Sequence, residues 1–502
     1  MQEKYNIGTV YPFIKKENFD GKEMFFGKNM IMSIPEKYFI KSQVKLFVEL
    51  FHNFTAQTGK LKIVKIQTET PCVAICKCEV NNFEKIDLQS LDYEIKIDEE
   101  KALLYFNDNK SFAHAFCTFL QLIEVKETEK GKERFTLPIC DIQDEPIVKF
   151  RVAHISMNPE SSFYWMRKWI REMGFLKYSH LNLESFGCFH FNSLKEMYYK
   201  NGGFTKKQVK ILVEEARALG MDVIPLLNVW GHAALNTQRF GKHIILDQNP
   251  KLEPLFNKTG WVWNILNPKV KELQRKLAEE LIELCGDCEY FHIGCDEATT
   301  YGLERDFNGK DKIVVVCDYI NEFSEWLKAK GKKTMMWADM LLRNPDWKDQ
   351  KVKQGAKTLE EAKQICALLN KDIIMVDWQY SRTEKDFPSS KFLADYGFET
   401  MLASYSNPFN IKACVGDVIE HNYYGYMLTV WGSQSKETCL IPRGAIASWS
   451  GAEKSLASDG DEDANEENIM TYVTEILRKL MPAHGKYGRS GTMAYFTNNK
   501  KI

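Results

Sequence analysis

Two adjacent carboxylates, Asp296 and Glu297, end a run of apolar and β-favouring residues, Tyr290-Phe291-His292-Ile293-Gly294-Cys295. A strand that is buried along its body and opens into a polar site reads this way. A carboxylate pair at such a tip suits proton transfer or stabilisation of a developing positive charge. The dipeptide alone is not distinctive, because Asp98-Glu99, Asp144-Glu145 and Asp461-Glu462 repeat it in stretches that read as solvated turns. Its meaning depends on what the neighbouring elements bring to the same place.

From Val148 onward the chain repeats strand, loop and helix. Strands are predicted over 149–156, 180–184, 222–228, 289–294, 333–337, 373–378, 399–404 and 425–431. Helical spacing of apolar residues falls over 162–173, 206–219, 268–284, 313–330, 359–369, 391–396, 411–419 and 466–480. Pro268 opens one helix, and Gly220, Gly331 and Gly397 follow helix ends, as the asymmetry of helix termini requires. Eight such units predict a (β/α)8 TIM barrel over 146–485. A doubly wound open sheet is the alternative, but Ile155-Ser156-Met157-Asn158-Pro159 after the first strand is not a glycine-rich phosphate turn.

Residues 1–145 form a smaller α+β domain, and 486–502 a C-terminal tail. Within the first domain a helix is expected in 38–58, stopped by Gly59, with strands over 61–67, 93–97 and 102–106. Ser111 is read as the N-cap of a helix carrying Phe112, Phe116, Phe119, Leu120 and Leu122. Nothing in this domain points to chemistry.

In a barrel of this kind the site lies at the C-terminal ends of the strands. Those ends carry Asn158, Glu184, Asn228 with Trp230 and His232, Asp296 with Glu297, Trp337 with Asp339, Trp378 with Tyr380, Ser404 with Tyr405, and Trp431. Carboxylates and indoles dominate. Indole faces pack on the apolar face of a sugar ring while carboxylates act at the glycosidic oxygen, so a carbohydrate site fits the set.

Composition narrows the class. The 502 residues carry 67 Lys+Arg against 68 Asp+Glu, which gives no electrostatic case for nucleic acid or an anionic membrane. No apolar run is long enough to span a bilayer, and Met1-Gln2-Glu3-Lys4-Tyr5 lacks the pattern of a secretory signal. The 13 scattered cysteines read as reduced, mostly buried thiols of a cytoplasmic protein. No recurring ligand spacing calls for a metal, and no motif calls for a cofactor.

The segment His292-Ile293-Gly294-Cys295-Asp296-Glu297 resembles the His-x-Gly-(Gly/Cys)-Asp-Glu signature of glycoside hydrolase family 20, the β-N-acetylhexosaminidases. Cys295 in place of a second glycine is more similar to the hexosaminidase D branch. Val223-Ile224-Pro225-Leu226-Leu227 running to Gly231-His232 resembles the third-strand motif. Trp337-Ala338-Asp339-Met340 and Trp378-Gln379-Tyr380-Ser381 resemble those after strands five and six, and 397–404 fits the seventh strand. Phe116-Cys117-Thr118-Phe119-Leu120-Gln121-Leu122 is similar to the helix of the small domain preceding this family's barrel.

The resemblance implies removal of a terminal β-linked N-acetylhexosamine with retention of configuration, the substrate's 2-acetamido oxygen serving as nucleophile. Glu297 would be the general acid and then base, and Asp296 would accept the acetamide N–H. Tyr380 would donate to the acetamide oxygen, with Trp337, Trp378 and Trp431 walling the pocket. Glu184 and His232 would pair to steady the acid. Asp339 would bind a sugar hydroxyl or orient Tyr380, and His292 would be structural. The arginine that larger secreted members carry after strand one is replaced by Asn158-Pro159, and the glutamate after strand eight by Gly432-Ser433. Both departures fall on hydroxyl recognition. The competing readings are a carbohydrate-binding protein without catalysis, and a glycosidase for unmodified sugars in which a protein carboxylate is the nucleophile.

Overall fold

In a computed structural model of the chain, the described residues are 10–127, 133–158, 161–185, 187–198, 203–233, 244–298, 303, 307–342, 355–431, 440–455, 471–472 and 474–482. The first domain is a mixed sheet of eight strands: β1 (Lys16–Phe26), β2 (Asn29–Pro35), β3 (Lys60–Ile66), β4 (Cys72–Cys76), β5 (Tyr93–Ile97), β6 (Lys101–Phe106), β7 (Glu124–Glu127) and β8 (Glu133–Asp144). Their order is β1-β8-β5-β6-β4-β2-β3, with β7 on β8 and only the β2–β3 pair parallel. Helices α1 (Lys41–Phe54) and α2 (Asn109–Gln121) bury phenylalanines against this sheet, including a stacked pair, Phe47 and Phe116.

The α2 start differs from the sequence reading. Asp108 is the N-cap, accepting from Lys110 N and Ser111 N, while Ser111 Oγ accepts from Asp108 N at 2.9 Å. The helix therefore begins three residues earlier, because Asp108 and Ser111 form a reciprocal capping box in which Ser111 is the inner member.

The second domain is a closed parallel barrel. Its strands are β9 (Arg151–Met157), β10 (His180–Ser185), β11 (Asp222–Leu226), β12 (Tyr290–His292), β13 (Lys333–Trp337), β14 (Ile374–Trp378), β15 (Thr400–Ser404) and β16 (Gly425–Val430), and β16 pairs back onto β9. The surrounding helices are α3 (Phe163–Phe175), α4 (Lys206–Ala218), α5 (Ile244–Gln248), α6 (Pro268–Cys285), α7 (Lys312–Ala329), α8 (Leu359–Leu368), α9 (Pro388–Asp395), α10 (Pro408–His421) and α11 (Leu440–Ser450).

Strand alternation divides the core in two. Residues such as Leu181, Val223, Phe291, Met336 and Leu402 pack outward beneath the helices. Val152, Ile224, Met335, Trp337, Val376, Met401 and Met427 form a separate cluster inside the barrel. Burial on both faces is why most residues of these strands are apolar. Phe150 closes the N-terminal end of the barrel with His180, Tyr290 and Tyr424, the two tyrosine hydroxyls bonding at 2.6 Å.

Helix α11 was absent from the sequence reading, which placed the last helix over 466–480. It carries Pro442 and Gly444 and is buried from Leu440 to Trp449, so it shows no polar face and no amphipathic stripe. Residues 471–472 and 474–480 are helical, while the expected start at 466 lies outside the described residues, as does the tail 486–502.

The dipeptide Asp144-Glu145 is not a solvated turn. Asp144 ends β8 fully buried where the two domains meet. Its Oδ2 accepts from Lys177 Nζ at 3.1 Å, Tyr93 OH at 2.6 Å and Trp449 Nε1 at 3.0 Å, and its Oδ1 from Lys15 N and Glu145 N at 3.1 Å each. The junction also uses Arg171 on α3, which reaches Glu49 on α1 and Glu215 on α4 at 2.7 Å each.

Candidate active site

The residues just after β12 keep strand-like bonds on both sides, Ile293 O accepting from Val229 N at 3.0 Å on the β11 side. Ile293 N donates to Met335 O at 2.8 Å and Trp337 N to Gly294 O at 3.0 Å, but the backbone then enters the left-handed region at Gly294, Cys295 and Glu297 (φ 65°, 74° and 45°). Cys295 and Glu297 have side chains, so this turn is strained and must be held by its surroundings. His292 Nδ1 accepts from Gly294 N at 3.0 Å, Asp339 Oδ2 accepts from Glu297 N at 2.9 Å, and Trp261 Nε1 donates to Glu297 O at 3.0 Å. Glycine is required at 294, where a Cβ would collide with the Asn228 side chain. It is required equally at 231, where a Cβ would strike the Asp296 carbonyl. The predicted strand 289–294 is shortened to Tyr290–His292 by this turn.

The turn presents its carboxylates differently. The Asp296 side chain is 10% exposed and Glu297 43%. His232, itself at a positive φ of 47°, places Nε2 3.2 Å from Asp296 Oδ2 and 3.4 Å from Glu297 Oε2. Burial opposes its charged form, but the charge of Asp296, hydrogen bonding to Asp296 and Glu297, and the charge of Glu184 prevail and hold the imidazole well above its ordinary value. Among the described residues Asp296 Oδ1 is buried without a hydrogen-bond partner.

Asp339, just beyond β13, is a third carboxyl in the group. Its Oδ1 accepts from Trp378 Nε1 at 3.3 Å while Oδ2 holds Glu297 N. Burial, then the neighbouring charge of Asp296, raises it to about 8. Tyr380 lies beyond β14. Its hydroxyl accepts from Trp431 Nε1 at 3.0 Å and Thr429 Oγ1 at 3.3 Å, and burial keeps its proton on far above the usual tyrosine range.

The residues expected to share the site thus lie together, with three differences in how they are connected. Glu184 meets His232 through its charge and not through a direct bond. Its oxygens are taken by His154 Nε2 at 2.9 Å and Asn228 Nδ2 at 2.7 Å, because both donors project into the barrel beside β10. Asp339 holds Glu297 and Trp378 rather than Tyr380. Trp337 has no exposed surface and lies beneath Trp431, with ring centroids 5.8 Å apart, whereas Trp378 and Trp431 keep partly exposed faces. Trp337 therefore supports the wall instead of forming it. His292 is fully buried against Trp337, and its charged form is disfavoured by burial and then by His154.

His154 and Trp261 were missed. His154 is buried under Trp431, with centroids 4.4 Å apart, and occupies the inward phase of β9 two residues after Val152, so period-two counting along 149–156 marks it as an interior polar residue. Trp261 packs on His232 at 4.4 Å from an irregular connection before α6, where no periodicity exists to reveal it.

A model of the catalytic domain of glycosyl hydrolase family 20 matches residues 175–444. A lacto-N-biosidase from Bifidobacterium bifidum is 23% identical over 262 residues, 49% of this chain, and the match spans about a fifth (21%) of that relative's length. Among solved structures, the Flavobacterium johnsoniae chitobiase superposes with a TM-score of 0.65 at 16% identity, covering 94% of this chain and 73% of its own. The β-N-acetylhexosaminidase of Bacteroides fragilis gives 0.64 at 14% identity, with coverages of 94% and 96%. The N-acetyl-β-hexosaminidase of Streptomyces plicatus, in complex with Thio-NAglucal, gives 0.63 at 13% and 95% of each chain. At these identities the structural likeness speaks for the fold, a TIM barrel behind a smaller α+β domain, and the match to more than half of the sequence establishes that the chain belongs to glycosyl hydrolase family 20.

Proposed function

We propose that the protein is a retaining exo-β-N-acetylhexosaminidase that releases terminal β-linked N-acetylglucosamine, N-acetylgalactosamine or both by substrate-assisted catalysis. The observation that carries this reading is the division of labour at 296–297. The buried Asp296 keeps one oxygen without a partner among the described residues, while Glu297 faces the opening. An amide N–H of the substrate completes Asp296, and Glu297 is free to exchange a proton.

In the first step the acetamide carbonyl oxygen bonds to the anomeric carbon, the glycosidic bond breaks, and Glu297 gives its proton to the departing oxygen. Asp296 accepts the acetamide N–H and balances the positive charge of the oxazolinium. Tyr380, whose oxygen already accepts from Trp431, directs its own proton to the acetamide oxygen. Trp378 and Trp431 offer ring faces to the sugar. In the second step Glu297 takes a proton from water as its oxygen bonds to the anomeric carbon and the acetamide is released. His232, charged between the two carboxylates, keeps them from repelling one another. The branch suggested by Cys295 is hexosaminidase D. The twelve described cysteines are free thiols, in keeping with a reducing, cytoplasmic setting.

Hydrolysis of aryl N-acetyl-β-glucosaminide, aryl N-acetyl-β-galactosaminide and aryl β-glucoside tests the proposal. Turnover confined to the acetamido sugars is expected. Turnover of the glucoside without the others defeats the acetamide mechanism, and none at all leaves a binding protein.

A further inference from the structure

We propose that Asp339 is a positioning residue that fixes the acid Glu297 through its backbone and links it to the acetamide-pocket indole of Trp378. This role rests on the functional reading above, and neither a sugar hydroxyl nor Tyr380 takes part in it. Asp339 is 1% exposed, and each of its oxygens accepts an N–H, from Glu297 at 2.9 Å and from Trp378 at 3.3 Å.

Three observations give the contact its consequence. The Glu297 side chain is 43% exposed and has the His232 imidazole 3.4 Å from Oε2, so little packing sets its direction and its aim depends strongly on the backbone that carries it. That backbone is strained, with φ 45° at Glu297 and 74° at Cys295, and relaxes unless it is tied. Its ties lie on either side of the residue, Asp339 on the N–H and Trp261 on the carbonyl. The same carboxylate holds the indole against which the acetamide packs, so the acid and the pocket wall are referred to one rigid group at the end of β13. An error of about 1 Å between acid and scissile oxygen costs roughly 100-fold in rate.

The test is a series of aryl N-acetyl-β-glucosaminides whose leaving groups run from 2,4-dinitrophenol, which departs without protonation, to 4-methylphenol, which needs it. For Asp339→Ala, kcat/KM is expected to fall about 100-fold on the poorest leaving group and only a few-fold on dinitrophenol. Asp339→Asn, with one acceptor for two donors, falls between, and it carries the comparison alone where the alanine variant yields no folded protein. An equal loss along the whole series overturns the positioning role, because a smaller folded fraction scales all substrates alike; so does no loss. Those outcomes leave the functional reading intact if the wild-type protein is active. Wild-type protein that hydrolyses none of the series removes the reading, and the role with it.

Discussion

Asp144 and Asp296 are both buried, and both are followed by glutamate, yet their surroundings are opposite in kind. Asp144 has both oxygens filled by five donors, and the Lys177 cation stands against it with no side-chain surface exposed. Asp296 shares one imidazole with Glu297, lies near a third carboxyl, Asp339, and keeps one oxygen unfilled among the described residues. The first network is complete and ties the small domain to α11 and the link after α3. The second, in the proposed reaction, is completed by the substrate's acetamide. A buried polar group that is left unfinished is costly to the fold, so it persists where the missing partner is a substrate.

That contrast can be broken by experiment. Glu297→Gln should lower kcat on poorly activated aryl N-acetyl-β-glucosaminides by about 1,000-fold, with the thermal midpoint little changed, since the proposed acid is removed while the backbone ties of residue 297 stay and the amide still faces His232. Asp144→Ala should do the reverse. It strands the Lys177 ammonium in the interior, so denaturant unfolding should show a loss of about 3–5 kcal/mol while kcat per folded molecule is kept. Tyr380→Phe should cost about 100-fold in kcat, the effect of one lost donor at developing charge, with a smaller change in KM.

The smallest expected effect is on pH. His232 and Asp339 both have raised values in the folded protein, so their stabilising contribution is full below their ordinary values and is lost as pH rises through the folded ones. For Asp339 that window runs from 3.8 to about 8. Thermal melts of wild type and Asp339→Asn across it should converge or cross as pH rises, the wild type losing ground; parallel curves would remove Asp339 from the site's charge balance.

The barrel was legible because most strand residues are apolar and the longer helices, α11 apart, show a stripe. Helix α11 was not, since total burial erases the stripe and Pro442 and Gly444 argue against a helix locally. Strands β1, β2, β4, β7 and β8 also went unread. Cys72–Cys76 is too short to separate from an apolar loop, and the long β1 is exposed over most of its length. At the site, residue types and order along the strands could be read, because a carboxylate pair and indoles at strand ends have few other uses. Partnership could not. Glu184 binding His154 instead of His232, and Asp144 being buried at a domain junction, depend on depth in the barrel and on contacts between distant segments, which sequence spacing does not encode.

The aromatic group at the far end of the barrel, Phe150 with His180, Tyr290 and Tyr424, has one more consequence for the proposed reaction. In that reaction a sugar seated against Trp378 and Trp431 has a filled barrel beneath it, so it leaves toward the strand ends. In the proposed mechanism the aglycone leaves first, and the next nucleophile reaches the anomeric carbon through the space it vacates. Whatever next enters that space decides the product. Water gives hydrolysis, and an alcohol waiting at high concentration gives transfer to a new acceptor. Measuring how much transfer product forms as acceptor alcohol is raised would report on the shape of that entrance.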